Sequence, residues 1–121
     1  DVAVPVGPIP ALVDAIAPLP QRRAAALATY GHARARHLHA HILRYDEGGA
    51  ARGPKAADEV TTATLDLRGT IAGEHGLRLL KRRFLAWEQD SHQIALQRSL
   101  RRAWDPAGVL NPSKVLARET A

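Results

Sequence analysis

The chain has 121 residues, of which 45% are hydrophobic and 24% are charged, and its formal net charge is +5. This length supports a single modest core, so we expect one domain over residues 1–121. The absence of cysteine excludes disulfides, thiolate catalysis and cysteine-ligated metals, which leaves histidine and carboxylate side chains as metal ligands. No apolar run reaches the roughly 18 residues of a membrane span and the N-terminus has no signal-peptide pattern, so we expect a cytoplasmic protein.

The positive charge raises the question of a nucleic-acid partner. The basic residues are spread between positions 22 and 118, however, and the densest run covers only residues 81–83. Two tryptophans, two tyrosines and one phenylalanine offer few surfaces for base stacking. We therefore interpret the charge first as a contribution to solubility, and we rank nucleic-acid binding last among the functions considered.

The first elements are predicted from alternating valines and from prolines. Val2, Val4 and Val6 alternate with other residues and are β-branched, which predicts a strand of about five residues. Pro8 and Pro10 then suit the first turn of a helix, where the missing N–H has no partner in any case. That helix is predicted to end at the next proline and to be followed by a basic connector over residues 21–25. Its predicted buried stripe consists of Leu12, Val13 and Ile16.

Two strands are predicted next, over residues 26–32 and 37–43, with a loop between them. The second strand alternates strictly between apolar and histidine side chains, and strand side chains repeat every two residues. One face therefore presents Leu38, Ala40 and Ile42 for packing against helices, and the other face presents His37, His39 and His41.

The second half of the chain is predicted to be mostly helical. Residues 46–54 are rich in glycine and charge and indicate a surface loop, and residues 55–67 then repeat apolar side chains at helical spacing, with Gly69 as the C-terminal cap. Residues 79–85 indicate a short helix or an irregular arm. Ser91 is a good N-cap for a last helix, which Asp105 ends before a turn-rich segment over residues 107–114. The predicted buried side chains are Ala56, Val60, Ala63 and Leu67 in the earlier helix and Leu96, Leu100, Ala103 and Trp104 in the last one.

The order strand, helix, strand, strand, helix, turn, helix predicts an α+β fold. It would contain a small antiparallel sheet with helices packed on one face. The histidines would lie on the other face, which needs something to cover it: solvent, a second subunit or another domain. A homo-oligomer formed through this open sheet face is one of these alternatives.

A turn at residues 73–76 places a carboxylate beside an imidazole between two glycines. Glycine tolerates positive φ and close backbone approach, so such a turn can present Glu74 and His75 in a cleft. The seven-residue gap between His32 and His39 allows a strand, a loop and a second strand to bring both imidazoles to one point. Together with Glu74, and with His37 or His41 as a further candidate, they offer a cysteine-free metal site with open positions.

Several motifs follow one another in the order typical of a known domain, and the most specific are the Gly-Glu-His-Gly and Leu-Asn-Pro-x-Lys elements. The chain resembles the C-terminal, substrate-capping domain of the FAD-linked oxidases, the family of D-lactate dehydrogenase and of the FAD-binding glycolate oxidase subunit. The motifs are Asp1-Val-Ala-Val-Pro, Gly31-His-Ala, Leu38-His, Gly69-Thr-Ile-Ala-Gly-Glu-His-Gly, Lys81-Arg and Asp105-Pro-Ala-Gly-Val-Leu-Asn-Pro-Ser-Lys-Val.

The resemblance implies a ferredoxin-like cap domain whose open face covers FAD, the flavin being held by a separate flavin-binding domain or subunit. It implies a small 2-hydroxy acid such as glycolate or D-lactate as substrate, and His75 as the base that takes the 2-hydroxyl proton. We expect the isolated chain to be inactive, and whether it is an enzyme therefore depends on a flavin domain outside these 121 residues. The other implied site residues are His32, His39 and Glu74 for a divalent metal such as zinc or manganese, and Asn111 and Lys114 near the flavin.

The chain also departs from the family pattern. Where the family usually reads Gly-Asp-Gly-Asn between the two histidine ligands, this chain has Arg34-Ala-Arg-His37, and His41 stands where asparagine is common. If the glycines serve positive φ or close packing, the arginines should obstruct that role. Their charges should also weaken the binding of a divalent cation. A second hypothesis follows: a degenerate stand-alone cap that self-associates as a binding or structural module.

Overall fold

A computed structural model describes residues 1–23, 26–43 and 49–117. The chain forms two compact units, Asp1–His75 and Gly76–Ala121, and each is described by itself. The expectation of one domain over residues 1–121 stays a prediction. Among the described residues, no helix is long and apolar enough to cross a membrane.

The first unit contains an antiparallel sheet of three strands in the order β1-β3-β2: β1 (Val2–Ala3), β2 (Ala26–His32) and β3 (His37–Leu43). The predicted bounds of β2 and β3 are confirmed, and the residues between them form a short 3₁₀ turn, Ala33–Ala35. β1 is shorter than predicted because Pro5 has no N–H with which to extend the ladder. Thr70 bridges Ala3 on the outer side of β1, where a ferredoxin-like fold carries its fourth strand.

Three helices of the first unit, α1 (Ile9–Ile16), α2 (Leu19–Arg23) and α3 (Gly49–Asp66), accompany the sheet. One hydrophobic cluster joins them to the apolar face of the strands, so the predicted α+β class with helices on one face is confirmed. Val13, predicted to be buried, is 41% exposed, because it lies about 100° round the helix from Leu12. The buried members of the cluster are Val2, Val4, Leu12, Ile16, Leu19, Leu38 and Val60.

Two segments of this unit that were predicted to be non-helical are helical where the structure describes them. The connector over 21–25 is helical as far as Arg23, because Pro20 occupies the first turn of α2, where proline is tolerated. The loop over 46–54 is helical from Gly49, and Pro54 lies inside α3, so a single missing N–H does not stop that helix. Residues 24–25 and 46–48 lie outside the described residues.

The end of α3 differs from the predicted glycine cap by one residue. Arg68, with φ of +56°, takes the left-handed position. The N–H of Gly69 donates to the Thr64 carbonyl at 2.9 Å, and that of Arg68 donates to the Leu65 carbonyl at the same distance, which is a Schellman motif. Gly69 serves close packing instead, since a Cβ there would overlap the carbonyl oxygen of Ala3.

The second unit contains a 3₁₀ turn (Arg82–Phe84) followed by α4 (Leu85–Glu88) and α5 (Ser91–Trp104). The N-cap of α5 is Asp90 rather than the predicted Ser91. The Asp90 carboxylate accepts a hydrogen bond from the Gln93 N–H at 2.8 Å, and the side-chain oxygen of Gln93 accepts one from the Asp90 N–H. The predicted end at Asp105 is confirmed.

The predicted buried side of α5 was wrong. None of its residues is buried, and Leu96, Leu100 and Trp104 are 62%, 54% and 85% exposed. Helical periodicity identifies which side chains share a face, but it does not determine whether anything covers that face.

Candidate metal centre

The strand register places the histidines of the first unit on one face. His32 pairs with His37, and Tyr30 pairs with His39, so these side chains lie opposite the hydrophobic cluster. His32 and His39 are diagonal neighbours, with ring centroids 5.6 Å apart. Gly31 permits this pairing, because a Cβ there would overlap the His37 carbonyl of the adjacent strand. The expected convergence of the two imidazoles is thus a consequence of strand pairing.

Glu74 lies over this histidine face. Its Oε1 is 3.1 Å from the Nε2 of His39 and 3.9 Å from the Nε2 of His32. One ligand atom from each of these three residues lies within 4.8 Å of the other two, and no other group of this kind occurs in the described part of the chain. The structure therefore brings together the three residues that the sequence predicted as metal ligands, while their role as ligands stays a prediction.

His39 is the most enclosed member of the group, with a side chain that is 5% exposed. Tyr30 and His75 cover its ring, with centroids 5.2 Å away in each case. Burial lowers the pKa of His39, although the Glu74 carboxylate acts in the opposite direction. The imidazole is therefore neutral at pH 7, which is the form that ligates metals.

The donor set fits a divalent cation. Two imidazole nitrogens and a carboxylate oxygen are typical ligands of zinc, and ligands bound at about 2.0–2.2 Å in a tetrahedral site lie roughly 3.4 Å from one another. The separation of 3.1 Å between His39 and Glu74 matches that geometry, and the 3.9 Å between His32 and Glu74 requires about half an ångström of approach. Three protein ligands would leave open positions for a substrate.

His75 adjoins this group on the turn that follows Glu74. Its ring stacks on that of His39, with an interplanar angle of 28°, and its Nε2 lies 3.8 Å from the Oε1 of Glu74. Its Nδ1 faces the other way, 3.6 Å from the Oδ1 of Asp1. The predicted proton-transfer residue is thus next to the candidate metal ligands, with half of its side chain exposed.

The other two strand histidines lie at the edge of the group. The Nδ1 of His37 is buried, has no hydrogen-bond partner among the described residues, and is 3.7 Å from the Oε2 of Glu74. His41 contacts Tyr30 instead, with its Nε2 2.9 Å from the Tyr30 hydroxyl. His37 is therefore the better candidate of the two for a further contact to the metal site.

The two arginines between strands β2 and β3 have different conformations. Arg36 has φ of +66°, the left-handed region that favours glycine, whereas Arg34 lies in the 3₁₀ turn. Both side chains are exposed. The chain therefore adopts the glycine-type backbone at Arg36 at a cost of about 1–2 kcal/mol.

Asn111 and Lys114, predicted to lie near the flavin, belong to the second unit. They occupy a segment of turns in which the Lys114 N–H donates to the Asn111 carbonyl at 3.3 Å and Asn111 has φ of +43°. Their predicted role is not tested by this geometry.

One residue of the site was not predicted to have a role there. Asp1 accepts hydrogen bonds from the backbone N–H groups of Glu74 and His75, at 2.6 and 3.0 Å. The sequence offered no signal for this contact, since more than seventy residues separate the partners.

Comparison with known proteins places the amino-acid sequence in a family. The family model described as FAD linked oxidases, C-terminal domain, matches residues 1–115. Over 98% of its length the chain is 32% identical to the glycolate oxidase subunit GlcD of Bacillus subtilis, of which the match covers 26%. It is 30% identical, over 95% of its length, to the mitochondrial D-lactate dehydrogenase [cytochrome] of Kluyveromyces lactis, covering 20% of that protein.

A third relative is the D-2-hydroxyglutarate dehydrogenase of Xanthomonas citri pv. viticola, which is 33% identical over 71% of this chain and of which 19% is covered. The chain thus spans about a quarter or less of the length of these curated relatives.

Proposed function

The chain belongs to the family of FAD-linked oxidase C-terminal domains, and from that premise we propose that it is the cap of an FAD-dependent 2-hydroxyacid oxidoreductase. The observation that carries this proposal is the convergence of His32, His39 and Glu74 beside His75 on the sheet face opposite the core. The names of the relatives support a substrate of the class of glycolate, D-lactate or D-2-hydroxyglutarate.

Within the proposed site, His32, His39 and Glu74 would hold a divalent metal such as zinc or manganese. When bound, such an ion supplies Lewis acidity that lowers the pKa of a coordinated hydroxyl. Burial lowers the pKa of His39, so at neutral pH a proton competes less with a metal ion for the lone pair of this imidazole. The side chains of His32 and Glu74 are 65% and 40% exposed, so a 2-hydroxy acid can reach the group from solvent.

His75 has the geometry of a proton acceptor for that substrate. Its Nε2 points towards the side of Glu74 where the metal would be held, so a 2-hydroxyl group there comes within reach of the imidazole lone pair. The hydroxyl proton passes to His75 and the C2 hydrogen leaves with its electron pair, which converts the 2-hydroxy acid to a 2-oxo acid. FAD, bound by a flavin domain or subunit, supplies the two-electron acceptor.

The remaining assignments follow from the same proposal. The histidine face would cover the flavin and the substrate, with Asn111 and Lys114 on the flavin side. The family match over residues 1–115 crosses both compact units, which supports treating residues 1–121 as one cap domain.

A self-associating cap without activity is the second candidate. The exposed apolar side chains of α5 and the left-handed Arg36 favour it, since the first offers a surface for association and the second departs from the family's glycine. A concentration-dependent oligomer that binds neither flavin nor metal would support this candidate.

The experiment is to express the complete gene product and scan it for bound flavin, which absorbs at about 450 nm in its oxidised form. Glycolate, D-lactate and D-2-hydroxyglutarate are then tested for turnover with an artificial electron acceptor. The proposal expects a yellow protein that oxidises at least one of these acids. A colourless product without turnover would contradict it.

A further inference from the structure

The carboxylate of Asp1 is enclosed beside the proposed base. Only 2% of its side chain is exposed, whereas the His75 side chain next to it is 51% exposed. Its Oδ2 accepts from the backbone N–H groups of Glu74 and His75. Its Oδ1 is on the His75 ring side, 3.6 Å from Nδ1. The two oxygens therefore have different partners: one holds the backbone of the turn, and the other faces the imidazole.

Gly73 allows the carboxylate to come this close to the turn. A Cβ at that position would lie 2.8 Å from the Oδ2 of Asp1 and 3.3 Å from the carbonyl oxygen of Val2. Real Cβ atoms essentially never approach other atoms within 3.0 Å, so any larger residue would displace the carboxylate. The first glycine of the Gly-Glu-His-Gly turn thus serves the contact with Asp1, while the second, Gly76, takes positive φ.

We infer that Asp1 is the positioning residue of the proposed base, and that it holds His75 in the tautomer with its proton on Nδ1. The carboxylate oxygen of Asp1 carries negative charge 3.6 Å from Nδ1, which attracts an N–H and repels a lone pair, so the nitrogen that faces it carries the proton. The Nε2 atom then keeps its lone pair, and it is Nε2 that points towards Glu74 and the candidate metal centre. This inference rests on the proposed function in so far as His75 takes a proton from the substrate.

The stacking of His75 on His39 restricts the alternatives. A ring flip of His75 within the stack would put Cδ2 in the place of Nδ1 beside Asp1 and Cε1 in the place of Nε2 beside Glu74, so neither carboxylate would face a ring nitrogen. Glu74 is also an acceptor, so both sides of the ring compete for the same proton. A cation held by Glu74 removes that competition, because its charge repels an N–H and attracts a lone pair.

The test uses Asp1→Asn in the complete gene product. The asparagine has the same shape, and its amide oxygen can accept from the two backbone N–H groups. Its amide nitrogen then faces His75 as a donor, which requires a lone pair on Nδ1 and transfers the proton to Nε2. The variant therefore keeps the turn and loses the base. Asp14→Asn is the matched control, because Asp14 is an exposed aspartate on α1 and its replacement removes the same charge.

Two readouts separate a positioning role from a merely structural one. The first is the tautomer of His75, read from the side-chain ¹⁵N resonances of histidine-labelled protein and assigned with His75→Gln. The second is turnover. We expect the Nδ1–H tautomer in the wild type and in the control, and the Nε2–H tautomer in Asp1→Asn. The kcat of Asp1→Asn should fall about 10- to 100-fold, as for other groups that orient a functional histidine, with zinc or manganese content unchanged.

The outcomes distinguish this inference from the function it rests on. A wild-type His75 with its proton on Nε2 would overturn the inference, and this result needs no variant to fold. A kcat lost in His75→Gln but retained in Asp1→Asn would overturn the role of Asp1 alone. A kcat retained in both variants would overturn the assignment of His75 as the base, and the role of Asp1 with it.

Discussion

The two faces of the sheet in the first unit are built from the same strands but have different surroundings. On one face Leu38 packs with α1, α2 and α3 in a cluster that excludes water. On the other face, one residue along the strand, His39 is just as buried but is surrounded by polar and aromatic groups: Tyr30, Glu74 and His75. The first face stabilises the unit and the second holds the residues of the proposed site, and a shift of one residue in register would exchange them.

The difference shows that burial serves two purposes in this unit. The helix-covered face gains free energy from apolar area removed from water, at about 25 cal/mol per Å². On the histidine face, burial lowers the pKa of the His39 imidazole, which keeps this group neutral at pH 7. Substitutions on the two faces should therefore affect different properties.

The largest expected effect on stability is that of Leu12→Ala, since Leu12 is fully buried in the cluster. We expect a loss of about 2–5 kcal/mol in the free energy of unfolding, from lost burial and the cavity left behind. Val13→Ala, one position along α1 and 41% exposed, is the control and should cost well under half as much. Denaturant unfolding measures both, and equal losses would mean that α1 does not bury the face described.

On the opposite face, His39→Ala should reduce metal affinity. The substitution removes one of three candidate ligands, so we expect the Kd for zinc to rise about 100-fold or more, beyond the effect of losing an outer-shell partner. His92→Ala is the control, because His92 lies on α5 with a side chain that is 97% exposed. Calorimetric titration with zinc measures the difference, and an unchanged Kd would remove His39 from the site.

The pH dependence of stability should sharpen the contrast. The pKa of His39 is lowered in the folded protein, so below its ordinary value of 6.5 the unfolded chain binds more protons there than the native one. The stability of the metal-free protein should therefore fall as the pH drops through that value, until the folded imidazole is protonated as well. His39→Gln should flatten this slope, which thermal unfolding between pH 7 and pH 5 measures. An equally steep slope in the variant would assign the effect to other groups.

The smallest expected effect concerns Arg36, in the turn between the two histidine-bearing strands. Arg36→Gly removes the strain of a left-handed arginine and should stabilise the protein by about 0.5–1 kcal/mol, after the entropy cost of glycine. Zinc should also bind a few-fold more tightly at low salt, since one positive charge is removed. Arg34→Gly, outside the left-handed region, should not stabilise, and similar gains in both variants would contradict the strain argument.

Much of the first unit could be predicted from the sequence because its signals are local. Strict alternation defines β3, and the same alternation separates the apolar residues from the histidines. In the second unit, the start of α5 was predicted to within one residue, because the Asp90 cap directly precedes the predicted Ser91. Signals of this kind depend on residues within a few positions of one another.

The remaining features depend on contacts that no local pattern encodes. The buried Asp1 carboxylate accepts a hydrogen bond from a turn that lies far along the chain. Gly73 is needed there only because this contact leaves no space for a Cβ. The apolar stripe of α5 was visible in the sequence, but its exposure was not. The burial of His39 likewise depends on the ring of Tyr30 in β2 and on the ring of His75 in the turn that follows Glu74. Strand pairing brings the first ring to His39, and a contact between distant parts of the chain brings the second.

The central claim is that His75 takes the hydroxyl proton of a 2-hydroxy acid while FAD accepts two electrons. Rapid anaerobic mixing of the flavin-loaded complete gene product with substrate tests this claim most directly. The loss of flavin absorbance at about 450 nm reports electron transfer in a single turnover. We predict that His75→Gln, with the same flavin content as the wild type, slows this step about 10²- to 10⁴-fold, the contribution of a general base. Bleaching at the wild-type rate in the variant would contradict the account.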